Sequence, residues 1–242
     1  MISLSVCRDV RHAPIPGHTS LADGSASRLR QSVVMQPRFG RRCYFCDFSF
    51  GASEHFEIHH LDGDHSNSGA DNVVPVCTLC HAPFHLDLVT RRWRSSPGKI
   101  IYLPELGQAE LNNLLQAIFF AKSEQQFMVP SEPVKDPGAV VTEAPVLSAN
   151  SLFVALERRA AYVEALPDGT SGRPGLATPS TLARVLTEMT DADYAQRDVL
   201  LHGLRYLPSE TYLVEEARHW KEDGAAFAGL DIAAWPAVAG MA

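Results

Sequence analysis

The most restrictive feature of this sequence is a pair of Cys-x-x-Cys motifs within residues 43–85, which read CYFCDFSFGASEHFEIHHLDGDHSNSGADNVVPVCTLCHAPFH. Cys43 and Cys46 form the first motif, and Cys77 and Cys80 form the second. Each motif is a tight turn that presents two sulfurs to one ion, and four thiolates are what a closed tetrahedral zinc site requires. The sequence therefore predicts a structural zinc site made of these four cysteines.

The cysteine count and the lack of long apolar runs indicate a cellular location. Four of the five cysteines lie in the two motifs, and an odd count suits a metal in a reducing compartment better than a disulfide framework. No stretch approaches the ~18 consecutive apolar residues of a membrane span, and the start of the chain lacks the pattern of a signal peptide. We therefore predict a cytoplasmic protein with no transmembrane segment of its own.

Histidines lie between and just after the cysteine motifs. The segment Phe56-Glu57-Ile58-His59 predicts a strand that delivers the pair His59 and His60. His81 and His85 are spaced to share one face of a helix. Imidazoles can hold a divalent ion, and a further histidine can take a proton from an attacking water. The alternative is that these histidines only pack around a zinc that supports folding.

This stretch resembles the HNH endonuclease family in its four-cysteine zinc form. The resemblance implies a ββα zinc core in which His60 is the general base and Asn72 orients it. It also implies that His59 and His81 hold a second divalent ion such as Mg²⁺, with His85 as an extra ligand or phosphate contact. The site residues are thus Cys43, Cys46, Cys77 and Cys80 for zinc, His59, His81 and His85 for the second metal, and His60 and Asn72 for catalysis.

A longer part of the chain resembles the IcmJ/DotN family of type IVB (Dot/Icm) secretion systems. The resemblance rests on the four-cysteine core, on IYLPELGQAELNNL at 101–114, and on LRYLPS at 204–209 before a closing segment with Trp220. Members of that family have an HNH-like zinc fold and act as adaptors in the coupling complex. The resemblance implies a protein that binds the C-terminal tail of the coupling ATPase and a membrane-bound partner, peripherally at the inner membrane.

The histidine pair keeps two other functions open. Family members that act as adaptors lack it, whereas His59 and His60 are both present here, which favours an active metal-dependent endonuclease. A plain zinc-bearing nucleic-acid binder is the third hypothesis. Residues 101–242 carry 10 Lys and Arg against 19 Asp and Glu, which argues against broad contact with phosphates and fits a protein-binding module.

We predict an α+β fold, in which the resemblance implies a treble-clef-like HNH zinc core and the apolar spacing indicates a mainly helical C-terminal extension. Leu111, Leu115 and Ile118 mark the buried face of one helix, which we expect to start at Pro104. The predicted divisions are 1–40 as an N-terminal arm, 41–100 as the zinc domain, 101–128 as a packing helix, 129–147 as a proline-rich linker or loop, 148–222 as a helical region and 223–242 as a flexible tail.

The zinc prediction has a direct consequence for stability. Cys77→Ser removes one ligand, so we expect the variant to lose bound zinc and cooperative unfolding, because metal binding supplies folding free energy. Thermal unfolding followed by circular dichroism, together with metal analysis, checks this. Cys7→Ser serves as the control because Cys7 lies outside both motifs, and a Cys77→Ser variant that unfolds like it would contradict the zinc site.

Overall fold

The computed structural model describes residues 2–8, 31–92, 96–127, 140–164 and 175–231, which form helices and short strands. The elements in chain order are β1 (Glu57–His60), β2 (Val73–Val76), α1 (Thr78–His81), a 3-10 turn (Ala82–His85), α2 (Leu86–Arg92), β3 (Lys99–Tyr102), α3 (Gln108–Phe127), α4 (Val140–Arg158), α5 (Ala160–Glu164), α6 (Pro179–Glu188), α7 (Asp191–Ala195), α8 (Arg197–Leu200), β4 (Leu204–Leu207) and α9 (Glu210–Trp220). Among the described residues, none of the helices combines the length and the apolar character needed to cross a membrane.

The first sheet is the antiparallel hairpin of β1 and β2, in which His59 pairs with Val74 and His60 with Val73. All four side chains of β2 are buried, and the first cysteine turn is fixed to it because the Tyr44 amide donates to the Pro75 carbonyl at 2.9 Å. α1 begins directly after Cys77. The hairpin therefore places the histidine pair and the second cysteine motif next to the first motif.

The second sheet joins distant parts of the chain. β3 and β4 pair antiparallel, with Ile100 opposite Tyr206, and these two side chains are fully buried. β4 lies within the region 148–222 that the sequence predicted to be helical. The prediction of helix is wrong for Leu204–Leu207, because pairing with β3 stabilises an extended backbone that local spacing does not reveal.

The central helix of the structure is α3, and its predicted apolar face is confirmed. Leu111, Leu115 and Ile118 are all fully buried in the core. The predicted start at Pro104 is wrong, because the helix begins at Gln108 after a turn. The Glu110 carboxylate accepts the Gly107 amide at 2.6 Å, which satisfies one of the free amides at this end.

The proline-rich stretch 129–147 is helical in its last part. Residues 129–139 lie outside the described residues, but α4 begins at Val140, so the loop prediction is wrong from there on. Packing against α3 stabilises α4, and the rings of Phe119 and Phe153 meet edge to face with centroids 5.1 Å apart.

The described part of the N-terminal arm packs against the zinc-type core. The Ser5 amide donates to the Pro83 carbonyl at 2.9 Å, and the Leu86 amide donates to the Ser5 carbonyl at 3.1 Å. Leu4 and Val6 are buried. Residues 2–8 therefore add to the core from the side of the 3-10 turn, while residues 9–30 of the arm lie outside the described residues.

The beginning of the predicted flexible tail is part of the core. Phe227 is 9% exposed and contacts Phe48, Phe120 and Trp220 at ring-centroid distances of 5.4, 5.1 and 6.1 Å. The prediction is wrong for residues 223–231, because one aromatic side chain in an Ala/Gly-rich stretch suffices to anchor it. Residues 232–242 lie outside the described residues.

The anchoring role of Phe227 can be measured. Phe227→Ala should lower the free energy of unfolding by about 3 kcal/mol, because the substitution empties a space between three aromatic rings. Leu230→Ala, at a position that is 38% exposed, should change it by less than about 0.5 kcal/mol. Urea unfolding of both variants checks this, and equal small effects would mean that the segment does not contribute to the core.

Candidate metal centre

The four predicted zinc ligands converge on one point. The sulfurs of Cys43, Cys46, Cys77 and Cys80 all lie within 4.8 Å of one another, and all four residues are buried. The Cys46 and Cys77 sulfurs are 3.7 Å apart. A tetrahedral ion with metal–sulfur bonds of about 2.3 Å requires sulfurs about 3.8 Å apart. The cluster therefore fits a tetrahedral metal ion.

Local backbone geometry builds the cluster from two turns. In the first turn the Cys43 amide donates to the Phe48 carbonyl at 2.9 Å, and Asp47 adopts a left-handed conformation with φ of 60°. In the second turn the Cys80 amide donates to the Cys77 carbonyl at 3.1 Å as α1 begins. The left-handed Asp47 thus closes the first cysteine turn, and the start of α1 closes the second.

Electrostatics shifts the pKa of Cys43 in the opposite direction from the pKa values of Cys77 and Cys80. Hydrogen bonds from the neighbouring thiols lower the pKa of Cys43, whereas burial raises the pKa of Cys77 well above its ordinary value. Hydrogen bonding to Cys43 is the main cause that raises the pKa of Cys80. A divalent ion entering the cluster would displace the remaining thiol protons, so metal binding by this site is expected to strengthen as pH rises.

Two amides that the sequence analysis did not identify also reach the cluster. The Asn112 amide nitrogen lies 3.2 Å from the Cys80 sulfur, and the Gln116 amide nitrogen lies 3.9 Å from the Cys77 sulfur. Both side chains are buried on α3, 0% and 3% exposed. Their signal in the sequence is a pair of polar residues four apart on a helix face that is otherwise apolar, which predicts a buried polar partner.

The predicted second metal ligands also come together. Ring nitrogens of His59, His81 and His85 lie within 4.8 Å of one another. The Glu57 carboxylate lies 2.6 Å from Nδ1 of His81, so this nitrogen donates to the carboxylate and Nε2 is the ring nitrogen that remains for an ion. Nε2 of His81 is buried and has no hydrogen-bond partner among the described residues. A carboxylate that fixes a histidine in this way is typical of metal sites, and Glu57 was not identified from the sequence.

The environment of His59 keeps its ring neutral. Burial is the main cause that lowers its pKa to about 3, and the neighbouring rings of His81, His60 and His65 act in the same direction. The ring is stacked on Phe84 with centroids 4.1 Å apart. A neutral imidazole offers a lone pair, so His59 is suited to bind a metal ion.

Asn72 does not make the contact that its predicted role requires. Its amide group donates to Asp62 Oδ1 and to the Asn67 carbonyl, both at 2.8 Å, and its Oδ1 accepts the Asp62 amide at 3.0 Å. These bonds go to the loop after β1 and not to His60. The predicted direct contact between Asn72 and His60 is therefore not made in this structure, because the acidic loop supplies the partners of the Asn72 amide.

His60 lines a cleft of about 380 Å³ beside the histidine group. Another part of the cleft wall is formed by residues 5–8 and by Tyr194 and Arg197. The guanidinium groups of Arg8 and Arg197 lie over the Tyr194 ring, 4.8 and 4.6 Å from its centroid. Sequence reasoning missed this wall because its members come from the two ends of the chain. It also missed His65, whose ring centroid is 5.0 Å from that of His60.

A buried carboxylate connects α9 to the second cysteine turn. Glu216 is 2% exposed, accepts a hydrogen bond from the Thr78 hydroxyl, and lies 2.8 Å from Nε2 of His55. Thr78 follows Cys77 directly. The C-terminal helix is therefore attached to the core next to a predicted metal ligand.

The fold and the site together define a protein of mixed helices and short strands, built on a buried four-cysteine cluster that can hold a metal ion. No family model matches the chain. The chain is 28% identical over 207 residues to the "Type 4 apparatus protein DotN" of Legionella pneumophila subsp. pneumophila (strain Philadelphia 1), an alignment that covers 85% of this chain and 86% of the relative. The similarity is thus not confined to the cysteine motifs but extends along most of both chains.

The contact between His55 and Glu216 predicts a pH-dependent stability. Burial lowers the pKa of His55, but the hydrogen bond and negative charge of Glu216 outweigh it and raise the pKa above the ordinary value. The folded protein therefore binds this proton more tightly than the unfolded chain. The stabilising contribution is complete below the ordinary pKa of about 6.5 and is lost as pH rises through the folded value.

Measurements of the free energy of unfolding between about pH 6 and about pH 8 test this linkage. His55→Gln should lose less stability over this range than the wild type, whereas His202→Gln should behave like the wild type because His202 is exposed. Equal slopes in the wild type and His55→Gln would show that this histidine does not carry the effect.

Proposed function

We propose that this chain is a zinc-stabilised, HNH-like component of a type IV secretion apparatus. The observation that carries the proposal is the similarity to the type 4 apparatus protein DotN, which extends over 85% of the chain. A local metal motif alone would give a much shorter match. The proposal places the chain in the cytoplasm, peripherally at the inner membrane through the secretion complex.

The role that we propose within this apparatus is that of an adaptor, which binds the C-terminal tail of the coupling ATPase and a membrane-bound partner. The acidic character of residues 101–242 supports a protein ligand, since 19 acidic residues against 10 basic ones disfavour nucleic acid over most of that surface. Two long helices, α3 and α4, pack together and give the extension a firm scaffold for such contacts.

The metal that we propose for the four cysteines is zinc. Four thiolates in a closed tetrahedral arrangement are the usual ligand set of a structural Zn²⁺ ion. Cys43, Cys46, Cys77 and Cys80 would hold the ion, which would supply folding free energy and no chemistry. The order of cysteine turn, hairpin, second cysteine turn and helix supports a treble-clef-like, HNH-like core.

A metal-dependent endonuclease is the second candidate function, and a specific observation favours it. Ring nitrogens of His59, His81 and His85 lie within 4.8 Å of one another. The Glu57 carboxylate lies 2.6 Å from Nδ1 of His81 and holds that ring in place. These three histidines would hold a divalent ion such as Mg²⁺, which would offset the charge on a scissile phosphate. His60 lies at the adjoining cleft, where it would take the proton of an attacking water.

The two functions differ in their dependence on His60. The purified chain is assayed for plasmid nicking in Mg²⁺, Mn²⁺ or Ni²⁺, and the tagged chain is tested for co-purification with the coupling ATPase, each beside His60→Ala. Under the adaptor proposal the complex survives His60→Ala, and no cleavage depends on this residue. Cys77→Ser is the matched loss-of-fold variant, which should abolish complex formation because the zinc core no longer folds.

Each outcome selects between the candidates. Co-purification that His60→Ala leaves intact, without nicking, supports the adaptor. Nicking that His60→Ala abolishes, with no co-purification of the ATPase, would overturn the adaptor proposal and establish the endonuclease. Metal analysis of the same samples gives the number of bound zinc ions and so tests the metal proposal independently of both.

A further inference from the structure

A row of buried amide side chains on α3 faces the cysteine cluster. Gln108, Asn112 and Gln116 follow one another at intervals of four residues, so they lie on the same side of the helix. Their exposed fractions are 4%, 0% and 3%. Buried amides are costly unless their hydrogen bonds are made, so their partners indicate their role.

The partners of Gln108 fix the orientation of the whole row. Its Oε1 accepts the backbone amide of Tyr206 at 2.8 Å, and its Nε2 donates to the Tyr206 carbonyl at 2.9 Å. A backbone amide can only donate and a carbonyl can only accept, so the side-chain amide of Gln108 has one permitted orientation. Its Nε2 therefore also donates to Oδ1 of Asn112, at 3.0 Å.

The orientation of Asn112 follows from that of Gln108. Because its oxygen accepts from Gln108, its nitrogen must be on the other side of the amide, where the Cys80 sulfur lies 3.2 Å away. Gln116, one turn further on, approaches the Cys77 sulfur with its amide nitrogen at 3.9 Å. Both contacts therefore present N–H donors to the second cysteine motif.

We propose that Asn112 and Gln116 are positioning residues of the metal centre, which donate hydrogen bonds to the thiolates of Cys80 and Cys77 and so slow the release of the ion. A dication held by four thiolates has a net charge of −2, which is unfavourable in a buried site. N–H donors aimed at the sulfurs offset part of this charge. Gln108 ties the same row to β4, so the metal centre and the second sheet share one chain of hydrogen bonds.

The experiment compares leucine substitutions on the full chain, loaded with Zn²⁺ or with Co²⁺. Leucine keeps the branched shape of asparagine but is larger and has no donor, so Asn112→Leu removes the hydrogen bond and adds some volume at a buried position. Zinc release to a chromogenic chelator should become about tenfold to a hundredfold faster. The sulfur-to-cobalt charge-transfer band should shift to longer wavelength, because a thiolate without the hydrogen bond is a stronger electron donor.

Gln116→Leu is the second variant and guards against failure of Asn112→Leu to fold. It should change both readouts in the same direction by a smaller amount, because its nitrogen is further from sulfur. Asn113→Leu is the control with the same substitution at the next residue along the helix: Asn113 is exposed, and its amide donates to the Cys46 carbonyl at 3.2 Å and not to a sulfur. It should leave the cobalt band in place.

The proposal would be overturned if Asn112→Leu and Gln116→Leu release zinc at the same rate as Asn113→Leu and show the cobalt band at the same wavelength. The amide row would then be a packing feature only. The inference rests on the metal proposed above, and the metal content of the wild-type chain distinguishes the two failures. A wild-type protein that binds no tetrahedral ion refutes the metal itself, whereas a bound ion that is insensitive to the amides refutes only their role.

Discussion

The structure depends on the convergence of four cysteine sulfurs between the β1–β2 hairpin and α3. Burial raises the pKa of the Cys77 thiol, and hydrogen bonds from the neighbouring thiols lower that of Cys43. A tetrahedral cation bound by the four sulfurs would take the place of the thiol protons. The two cysteine turns, which are far apart in the sequence, are then held at one point.

The histidine group depends on the same constraint. β1 carries His59, and the helical segment that starts at the second cysteine turn carries His81 and His85, so the ion in the cysteine cluster would fix the distance between them. Glu57, on the same strand, then meets His81. The geometry of the histidine group would thus depend on an ion in the cysteine cluster.

The C-terminal extension contacts the cysteine cluster through two helices, α9 and α3. These contacts join the extension to the cysteine core. The buried Glu216 of α9 meets Thr78 beside Cys77, and the amide row of α3 reaches the sulfurs of the second motif. A partner that binds the extension would therefore act on a surface whose position depends on the metal core. This coupling is consistent with the proposed adaptor, in which the ion has a structural role.

The parts of this protein that the sequence predicted are those set by short spacing. The cysteine motifs indicated one tetrahedral site, the apolar stripe of α3 indicated a buried helix, and four-residue spacing indicated that His81 and His85 would lie together. The wrong predictions, such as helix in place of β4 and a flexible tail at Phe227, concern segments whose conformation comes from distant partners.

The sequence by itself determined which residues could bind a metal and which residues share one face of a helix. Both follow from residue type and from spacing over a few positions in the chain. Only the tertiary structure decided that Asn72 bonds to its own loop, that Glu57 fixes His81, and that Asn112 faces Cys80. The physical reason is that a side-chain hydrogen bond is short and directional, so its partner is chosen by atomic positions that exist only after packing.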